Sequence, residues 1–263
     1  MSKVHKSRLI LKETIGHMQK KGRLNFEYTF PGGEQDVTKK VFDTLFGSEI
    51  DAKNIAMIQT VGCCFGQYLT GKLLKDYHNI GCHVHIQEKL KEASQSFEGH
   101  NLSVTVKEHI DLTNLNQGDL ILVKPQELRF LMEQSDAMLI NSKQITVMVS
   151  VDEIPQNEAI NSANVKEYLQ TSLRSLATDL TQIDSFILNI DLSTILGFES
   201  LKTGHFFMRF DDPQFAKDYQ GEMSRICRLT ISTPTKLGAD ILRVLFEEEE
   251  LSKKFMASLN ELN

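Results

Sequence analysis

The chain has 263 residues, of which 41% are hydrophobic and 24% charged, as is typical of a soluble globular protein. This composition excludes disorder as the dominant state, and a chain of this length buries roughly three-quarters of its unfolded surface without a disulfide or metal. Lys plus Arg number 29 against 35 for Asp plus Glu, a formal net charge of −6, which argues against non-specific binding to nucleic acid or anionic membranes.

Targeting signals are not evident. Ile145–Val151 is among the longest apolar runs and is far too short to span a bilayer. The basic N-terminus leads into charged residues without a long apolar core, so we expect no secretory signal peptide. The four cysteines, Cys63, Cys64, Cys82 and Cys227, lack Cys-x-x-Cys spacing and indicate a reducing compartment. We therefore expect a cytoplasmic protein.

The chain divides into a predicted N-terminal cap, residues 1–50, and a Rossmann-like α/β domain, residues 51–263. In the cap, helical spacing covers Ser7–Lys20 and Asp36–Phe46, with a short strand predicted at Leu24–Phe30. Gly47 stands where the second of these helices would end.

From residue 55 onward, strand patterns and helix patterns alternate. The predicted strands are Ile55–Val61, Cys82–Ile86, Leu102–Val106, Asp119–Val123, Ile145–Val151, Phe186–Leu192 and His205–Phe210. The predicted helices are Gln67–Tyr77, Lys89–Phe97, Gln126–Gln134, Val165–Leu180, Phe215–Arg225 and Leu237–Leu259. Alternation with short connections predicts an α/β fold with a doubly wound, mostly parallel sheet. The two adjacent late strands predict an antiparallel pair at its end.

A glycine-containing turn follows the first predicted strand, at Gly62-Cys63-Cys64-Phe65-Gly66. In doubly wound sheets, ligands bind beyond the carboxyl ends of the strands. Glycine permits a tight turn there, and the N-terminus of the next helix favours negative charge. Glu88 stands about 22 residues beyond Gly66, a distance at which an acidic side chain commonly binds a ribose diol.

This turn resembles the Gly-Cys-Gly-x-Gly motif of the class I S-adenosylmethionine-dependent methyltransferases, with Cys64 in place of the middle glycine. The resemblance covers residues 55–151 and implies S-adenosylmethionine as cofactor. The residues that it places at the cofactor are Gly62, Cys64, Phe65, Gly66, Glu88 at the ribose, and Asp111 with Leu112 at the adenine. It places Lys124 and Pro125 on the substrate side, and it identifies no catalytic residue.

Two departures from that family bear on the function. Cys64 adds a side chain where the family's backbone passes close to the cofactor, and Lys124-Pro125-Gln126-Glu127 keeps one proline of an Asn/Asp-Pro-Pro-aromatic motif. The second departure argues against methylation of bases and amides. The resemblance implies a methyltransferase acting on a small-molecule or protein acceptor. The alternative is a non-catalytic binding protein or secreted effector on a degenerate methyltransferase-like fold.

Two other families share parts of this turn. Gly66–Leu73 is one residue short of a P-loop, because Leu73 stands where Ser or Thr must bind magnesium. Cys63 or Cys64, at a strand end before a helix, resembles the phosphoryl-carrying cysteine of the B component of sugar phosphotransferase systems, where a helix N-terminus activates the thiol.

Several histidines are candidates for chemistry. Cys82, His83 and His85 are close enough in sequence to bind zinc or copper, but no second ligand cluster has recognisable spacing, so we expect no metal. His109 and His205 are candidate general bases.

A glutamate block near the C-terminus, Glu247–Glu250, resembles the translocation signals of bacterial type IV effectors. The surrounding apolar spacing, with Leu245, Leu251 and Phe255 on one stripe, favours a solvated helix face instead. The same stripe can bind another protein or a second copy of the chain, and the sequence leaves both alternatives, including a homodimer, open. We expect no membrane partner, and the sequence carries no strong signal for nucleic-acid binding.

Overall fold

A computed structural model of the chain describes residues 3–22, 30–77, 82–133, 136–154, 162–198 and 201–260. Its strands are β1 (Ile55–Thr60), β2 (His83–Gln87), β3 (Ser103–Lys107), β4 (Leu120–Val123), β5 (Thr146–Val151), β6 (Phe186–Ile190) and β7 (Gly204–Arg209). Its helices are α1 (Lys3–Lys20), α2 (Gln35–Phe46), α3 (Cys63–Tyr77), α4 (Ser94–Glu98), α5 (Pro125–Glu133), α6 (Ala137–Ser142), α7 (Val165–Ser172), α8 (Arg174–Thr181), α9 (Leu192–Ile195), α10 (Pro213–Ile231), α11 (Lys236–Glu247) and α12 (Glu249–Asn260).

The strands form one seven-stranded sheet in the order β1-β7-β6-β5-β4-β2-β3. Neighbouring strands from β6 across to β3 are parallel, whereas β7 runs antiparallel to both β6 and β1. The predicted α/β class with a mostly parallel sheet is confirmed, as is the late antiparallel pair. Apart from Phe30, the predicted strand at Leu24–Phe30 lies outside the described residues.

The strand order fixes where a ligand is expected. From β2 the chain moves outward to β3, and from β4 it moves in the opposite direction through β5 and β6 to β7. The topological switch point therefore lies between β2 and β4, and the crevice beyond their carboxyl ends is where such sheets bind ligands. The turn after β1 leads from the edge strand of the sheet, not from the switch point.

β1 combines a continuous apolar run with an edge position. All six of its residues are buried, because α10 and α2 pack against it. Two of its outer N–H groups are also paired: Met57 N donates to Gln220 Oε1 at 2.6 Å, and Gln59 N donates to Gly32 O at 3.1 Å. Covering an edge strand in this way removes its tendency to pair with other chains.

Hydrophobic layers lie on both faces of the sheet, as its strands require. Ile121 and Val123 of β4 pack into one layer, while Leu120 and Leu122 pack into the other. Four apolar residues of α2, Val37, Val41, Phe42 and Phe46, belong to the first layer. The domain boundary at residue 50 remains a prediction, and α2 shares the core of the sheet.

Two helices predicted as continuous are interrupted. The pattern over Val165–Leu180 forms α7 and α8, which meet at Leu173 with φ −110° and ψ 7°. The pattern over Leu237–Leu259 forms α11 and α12, which meet at Glu248, where the backbone is extended. The Glu248 carboxylate contacts His17 at 3.0 Å and Lys21 at 2.7 Å. Glu248, where α11 ends and α12 is about to begin, thus contacts the end of α1. The role of the glutamate block as a secretion signal remains a prediction.

In the parts of the chain that the structure describes, no helix is both long and apolar enough to cross a membrane.

Candidate functional site

A cavity of about 1120 Å³ opens at the carboxyl edge of the sheet, at the switch point between β2 and β4. Its lining comes from the first turns of α3, the end of β2 and the segment that follows it, the two residues after β3, the residue after β4, α5 and the residue after β5. The lining residues are Cys63, Cys64, Gln67, Gln87, Glu88, Lys89, Leu90, Lys91, Glu92, Ala93, Gln95, Ser96, Glu108, His109, Lys124, Gln126, Glu127, Phe130 and Asp152.

Lys124 and Asp152 form the central ion pair of this cavity. Lys124 follows β4 and Asp152 follows β5, so the parallel pairing of the two strands brings the side chains together. Lys124 Nζ donates to Asp152 Oδ1. The Lys124 side chain is only 10% exposed, whereas that of Asp152 is 41% exposed. A buried amine beside a more accessible carboxylate can react once the carboxylate turns away.

A second set of contacts fixes the backbone at Lys124. Gln87, at the end of β2, accepts a hydrogen bond from Lys124 N at 3.0 Å and donates one to Glu127 Oε2 at 3.0 Å. Glu127 also accepts from Ile110 N at 3.3 Å. Because Gln87 and Glu127 are both buried, the start of α5 is held firmly against β2.

His109 stands at the mouth of the cavity. Its side chain is 71% exposed, and its Nδ1 lies 3.5 Å from Glu127 Oε2. This distance allows a hydrogen bond only after a small movement. His109 therefore presents an exposed imidazole beside Glu127 in the cavity, where a candidate base can be reached by a ligand.

Gly62 makes the turn from β1 into α3. Its φ of +104° is strained for any residue with a side chain. A side-chain carbon there would also lie 2.8 Å from Asp191 Oδ2. Asp191 follows β6 and accepts hydrogen bonds from Ser193 Oγ and Thr194 N at the start of α9. The turn before α3 therefore faces a carboxylate.

Gly66 allows close packing of α3 against Asn189 of β6. A side-chain carbon at Gly66 would lie 2.3 Å from Asn189 Oδ1, so its absence lets α3 approach β6. Asn189 Nδ2 in turn donates to Cys63 O at 2.8 Å. Phe65 is buried in the hydrophobic layer beneath α3. Of the residues predicted in this turn, Cys64 is the one that is exposed and lines the cavity.

The two adjacent cysteines differ in exposure: Cys63 is buried and Cys64 is exposed. Burial raises the pKa of the Cys63 thiol to about 12, and its Sγ donates to Val151 O and Asn189 O at 3.6 Å. A thiol with so high a pKa is a poor nucleophile near neutral pH, so Cys63 does not suit the role of a phosphoryl carrier.

The other predicted site residues are not all brought together. Glu88 lies on the rim of the cavity. Asp111 is exposed and caps a short 3-10 helix, and Leu112 is buried in the core. Pro125 begins α5 and lines a separate hollow beside Arg129.

The remaining candidates have structural explanations. Lys72, of the incomplete P-loop, pairs with Asp76 on the same helix at 2.8 Å. His83 stacks on His85 with ring centroids 4.5 Å apart, and His85 Nε2 bonds Asp119 Oδ2 at 3.1 Å. Among the described residues, no group of three or more His, Cys, Asp or Glu is arranged to hold a metal ion. His205 is fully buried.

Sequence reasoning missed Asp152, the partner of Lys124. A signal was present, because Asp152 is the first residue after the apolar run Ile145–Val151. Carboxyl ends of adjacent parallel strands meet at one edge of a sheet, but a sequence pattern does not show that β4 and β5 are neighbours.

No protein-family model matches the sequence, and no curated protein sequence matches it. Solved structures do match its fold. An aromatic-amino-acid aminotransferase from Burkholderia pseudomallei, covalently bound to pyridoxal phosphate, has a TM-score of 0.75 at 13% identity over 96% of this chain and 67% of its own. The cytoplasmic aspartate aminotransferase of Saccharomyces cerevisiae has a TM-score of 0.74 at 14% identity, with coverages of 96% and 67%.

A broad-specificity aminotransferase from Leishmania mexicana also has a TM-score of 0.74 at 14% identity, covering 96% of this chain and 66% of its own. The chain thus spans about two-thirds of the length of these enzymes. At such identities the likeness shows a shared fold.

These neighbours correct the interpretation based on the glycine turn. The fold is that of aminotransferases, so the resemblance to class I methyltransferases is wrong, and S-adenosylmethionine and methyl transfer are wrong with it. The alternative of a non-catalytic protein or secreted effector on a degenerate methyltransferase-like fold is also wrong, since it rests on the same fold family. The physical reason is that Gly62 and Gly66 meet local needs, a positive φ and the approach of α3 to β6, which many α/β proteins share.

Proposed function

We propose that this protein is an aminotransferase-like enzyme that binds a pyridoxal-type aldehyde in the cavity at the switch point, with Lys124 as the amine that holds it. The observation that carries the proposal is the Lys124–Asp152 pair inside the cavity. Proteins that bind cofactors of this type use a lysine for the aldehyde and an Asp or Arg partner for the ring nitrogen, and the pair supplies a lysine and an aspartate. The shared fold with aminotransferases, one of which is covalently bound to pyridoxal phosphate, supports a ligand of this class.

Lys124 and Asp152 have the chemistry that the aldehyde and the ring nitrogen of such a cofactor require. Lys89 and Lys91 also line the cavity but are exposed on its rim, whereas Lys124 is buried at its base. Burial excludes water from the amine, and lysines in such places serve as carbonyl-binding groups. Asp152 lies within reach of the same space and carries the charge that a protonated ring nitrogen needs. When bound, the cofactor supplies an electron sink for bonds beside an amino acid's nitrogen.

The chain's own residues then have separate tasks. Asp152 must release Lys124 before the amine can react, and its 41% exposed side chain has room to turn. Gln87 holds the Lys124 backbone in place while the side chain moves. Glu127, bonded to Gln87, keeps α5 in position. His109 offers a site for a proton at the mouth.

The test is covalent trapping with a pyridoxal-type aldehyde. The Lys124 nitrogen bonds to the aldehyde carbon with loss of one water, and the hydride of borohydride fixes the link as a secondary amine. Peptide mass spectrometry then locates the modification. We expect Lys124 to be the most heavily modified lysine and Lys124→Met to remove that site. The matched control Lys89→Met, which removes a rim lysine, should leave Lys124 modified. Modification confined to exposed lysines would overturn the proposal.

The homodimer and the cytoplasmic location remain predictions. Measuring transfer of an amino group between amino acids and keto acids, with Lys124→Met as the comparison, tests the enzymatic part of the proposal.

A further inference from the structure

The side chains that line the cavity include more carboxylates than lysines, and this excess of negative charge affects which ligands can bind. Three lysines line it, Lys89, Lys91 and Lys124, against five carboxylates, Glu88, Glu92, Glu108, Glu127 and Asp152. The only buried lysine among the three, Lys124, is already paired with Asp152. A phosphate ester carries a charge of about −1.5 to −2 near neutral pH, so this lining opposes it.

The place where a phosphate would best bind is also acidic. Helix N-termini attract phosphate because their free N–H groups and dipole point at it. The N-terminus of α3 borders the cavity through Cys63 and Cys64. However, Asp191 Oδ2 faces Gly62 directly before this helix. The nearby Asp191 and Asp152 carboxylates also contribute to the raised pKa of Cys63, after the larger effect of burial.

Asp191 is held in this position. Its Oδ1 accepts from Ser193 Oγ at 2.6 Å and from Thr194 N at 3.2 Å, and its side chain is mostly buried. The carboxylate therefore cannot turn away without losing the cap of α9. Unlike a rim carboxylate, it remains beside α3 when a ligand enters.

We propose that this cavity selects pyridoxal-type aldehydes that lack the phosphate ester. The inference rests on the proposed function and names the chemical class of its ligand. The aldehyde binds at Lys124 and the ring at Asp152 after the two side chains separate. The start of α3, the part of the lining best suited to a phosphate, has the Asp191 carboxylate behind it at Gly62. The residues thus fit the aldehyde and ring of pyridoxal phosphate but not its phosphate.

The experiment compares two probes that share ring and aldehyde. One is pyridoxal phosphate; the other is 5-deoxypyridoxal, which has a methyl group in place of the phosphorylated arm and cannot close an internal hemiacetal. Each is trapped with borohydride on the full chain, and modification of Lys124 is divided by that of the exposed Lys217. This division corrects for the different intrinsic reactivity of the probes.

In the unaltered chain we expect the corrected preference of Lys124 for 5-deoxypyridoxal to be about tenfold or more. A repulsion of about 1.4 kcal/mol between a phosphate at the start of α3 and the carboxylates around it gives that factor. Asp191→Asn should reduce the preference severalfold, because it removes the charge and keeps a capping side chain. Asp191→Ser is a second variant that also keeps a cap. The control Asp212→Asn changes the cap of α10 in the same way and should leave the preference unchanged.

The outcomes separate the two claims. If Lys124 is modified equally well or better by pyridoxal phosphate, or if both Asp191 variants leave the preference unchanged, the phosphate-free selection is wrong while the proposed function stands. If neither probe modifies Lys124 while Lys217 reacts, the proposed function is wrong and this inference falls with it.

Discussion

Lys124 Nζ donates to Asp152 Oδ1 across the carboxyl ends of two adjacent parallel strands. This ion pair links the segment that follows β4 to the segment that follows β5, inside the cavity. Because Lys124 is buried and Asp152 is partly exposed, the carboxylate is the partner that solvent or a ligand can reach first. The proposed function depends on this asymmetry.

Gln87 is expected to matter for both stability and the site. Gln87→Leu removes the acceptor of Lys124 N and the donor to Glu127, leaving two buried groups unsatisfied. The free energy of unfolding should fall by about 1–3 kcal/mol, and trapping at Lys124 should weaken. Urea unfolding and mass spectrometry measure the two effects. Gln95→Leu, at an exposed position on the same cavity, should change stability little. Equal stability of both variants would contradict the role of Gln87.

Gly66 is expected to reject a side chain. Gly66→Ala places a carbon 2.3 Å from Asn189 Oδ1, so α3 or β6 must shift, at about 1–3 kcal/mol of stability. The matched control is Gly221→Ala in α10, where nothing lies within 4 Å. That change should stabilise the chain by up to about 1 kcal/mol, from helix propensity. Thermal unfolding of the two variants should therefore move in opposite directions, and a shift in the same direction would contradict the packing role.

The glycine turn shows what the sequence can and cannot predict. Sequence patterns predict the strand Ile55–Val61 and the helix that ends at Tyr77, because apolar runs and helical spacing are local signals. The turn is shorter than predicted, since α3 begins at Cys63, inside the predicted turn, and not at Gln67. The edge position of β1 was not predictable from its composition, because α10 and α2 bury it as fully as a central strand. Its neighbour β7 comes about 150 residues later, and strand order depends on such distant pairings.

Some residues of the site are predictable from the sequence and others are not. Cys64, Glu88 and Lys124 were predicted as site residues and do line the cavity, although the cofactor invoked for them is wrong. Asp111 and Leu112 were also predicted and lie elsewhere. Asp152 and Glu127 were missed because their roles depend on contacts with Lys124 and Gln87, which lie far away in sequence. No local pattern shows such contacts.

His205 is expected to make the fold sensitive to acid. Burial lowers the pKa of His205 from 6.5 to about 3, and its Nδ1 contacts Thr38 Oγ1 at 3.1 Å. Above pH 6.5 the histidine is neutral in both states, so no penalty arises. As pH falls from 6.5 toward 3, the unfolded state binds the proton first and stability is lost.

The expected loss from this one group is about 2 kcal/mol at pH 5. His205→Gln should therefore lose less stability between neutral pH and pH 5 than the unaltered chain, whatever its offset at neutral pH. His109→Gln, at an exposed position, should keep the original slope. Parallel slopes for the unaltered chain and His205→Gln in urea unfolding would contradict the assignment.

The four cysteines are expected to differ in alkylation. Cys64 is exposed, whereas burial raises the pKa of Cys63 and Cys227 to about 12 and that of Cys82 to about 11. Iodoacetamide at mildly alkaline pH should modify Cys64 alone in the folded chain, since thiolates are the reactive form. In urea all four should react. Modification of Cys63 as fast as Cys64 in the folded chain would show that the start of α3 is open.

The most direct test of Lys124 as the amine that bonds to the aldehyde is a crystal structure of the full chain after trapping with 5-deoxypyridoxal. We predict continuous density from Lys124 Nζ to the ring, with an Asp152 oxygen at about 2.7–3.0 Å from the ring nitrogen. Lys124 still bound to Asp152, with the ring attached to another lysine or absent from the cavity, would contradict the account.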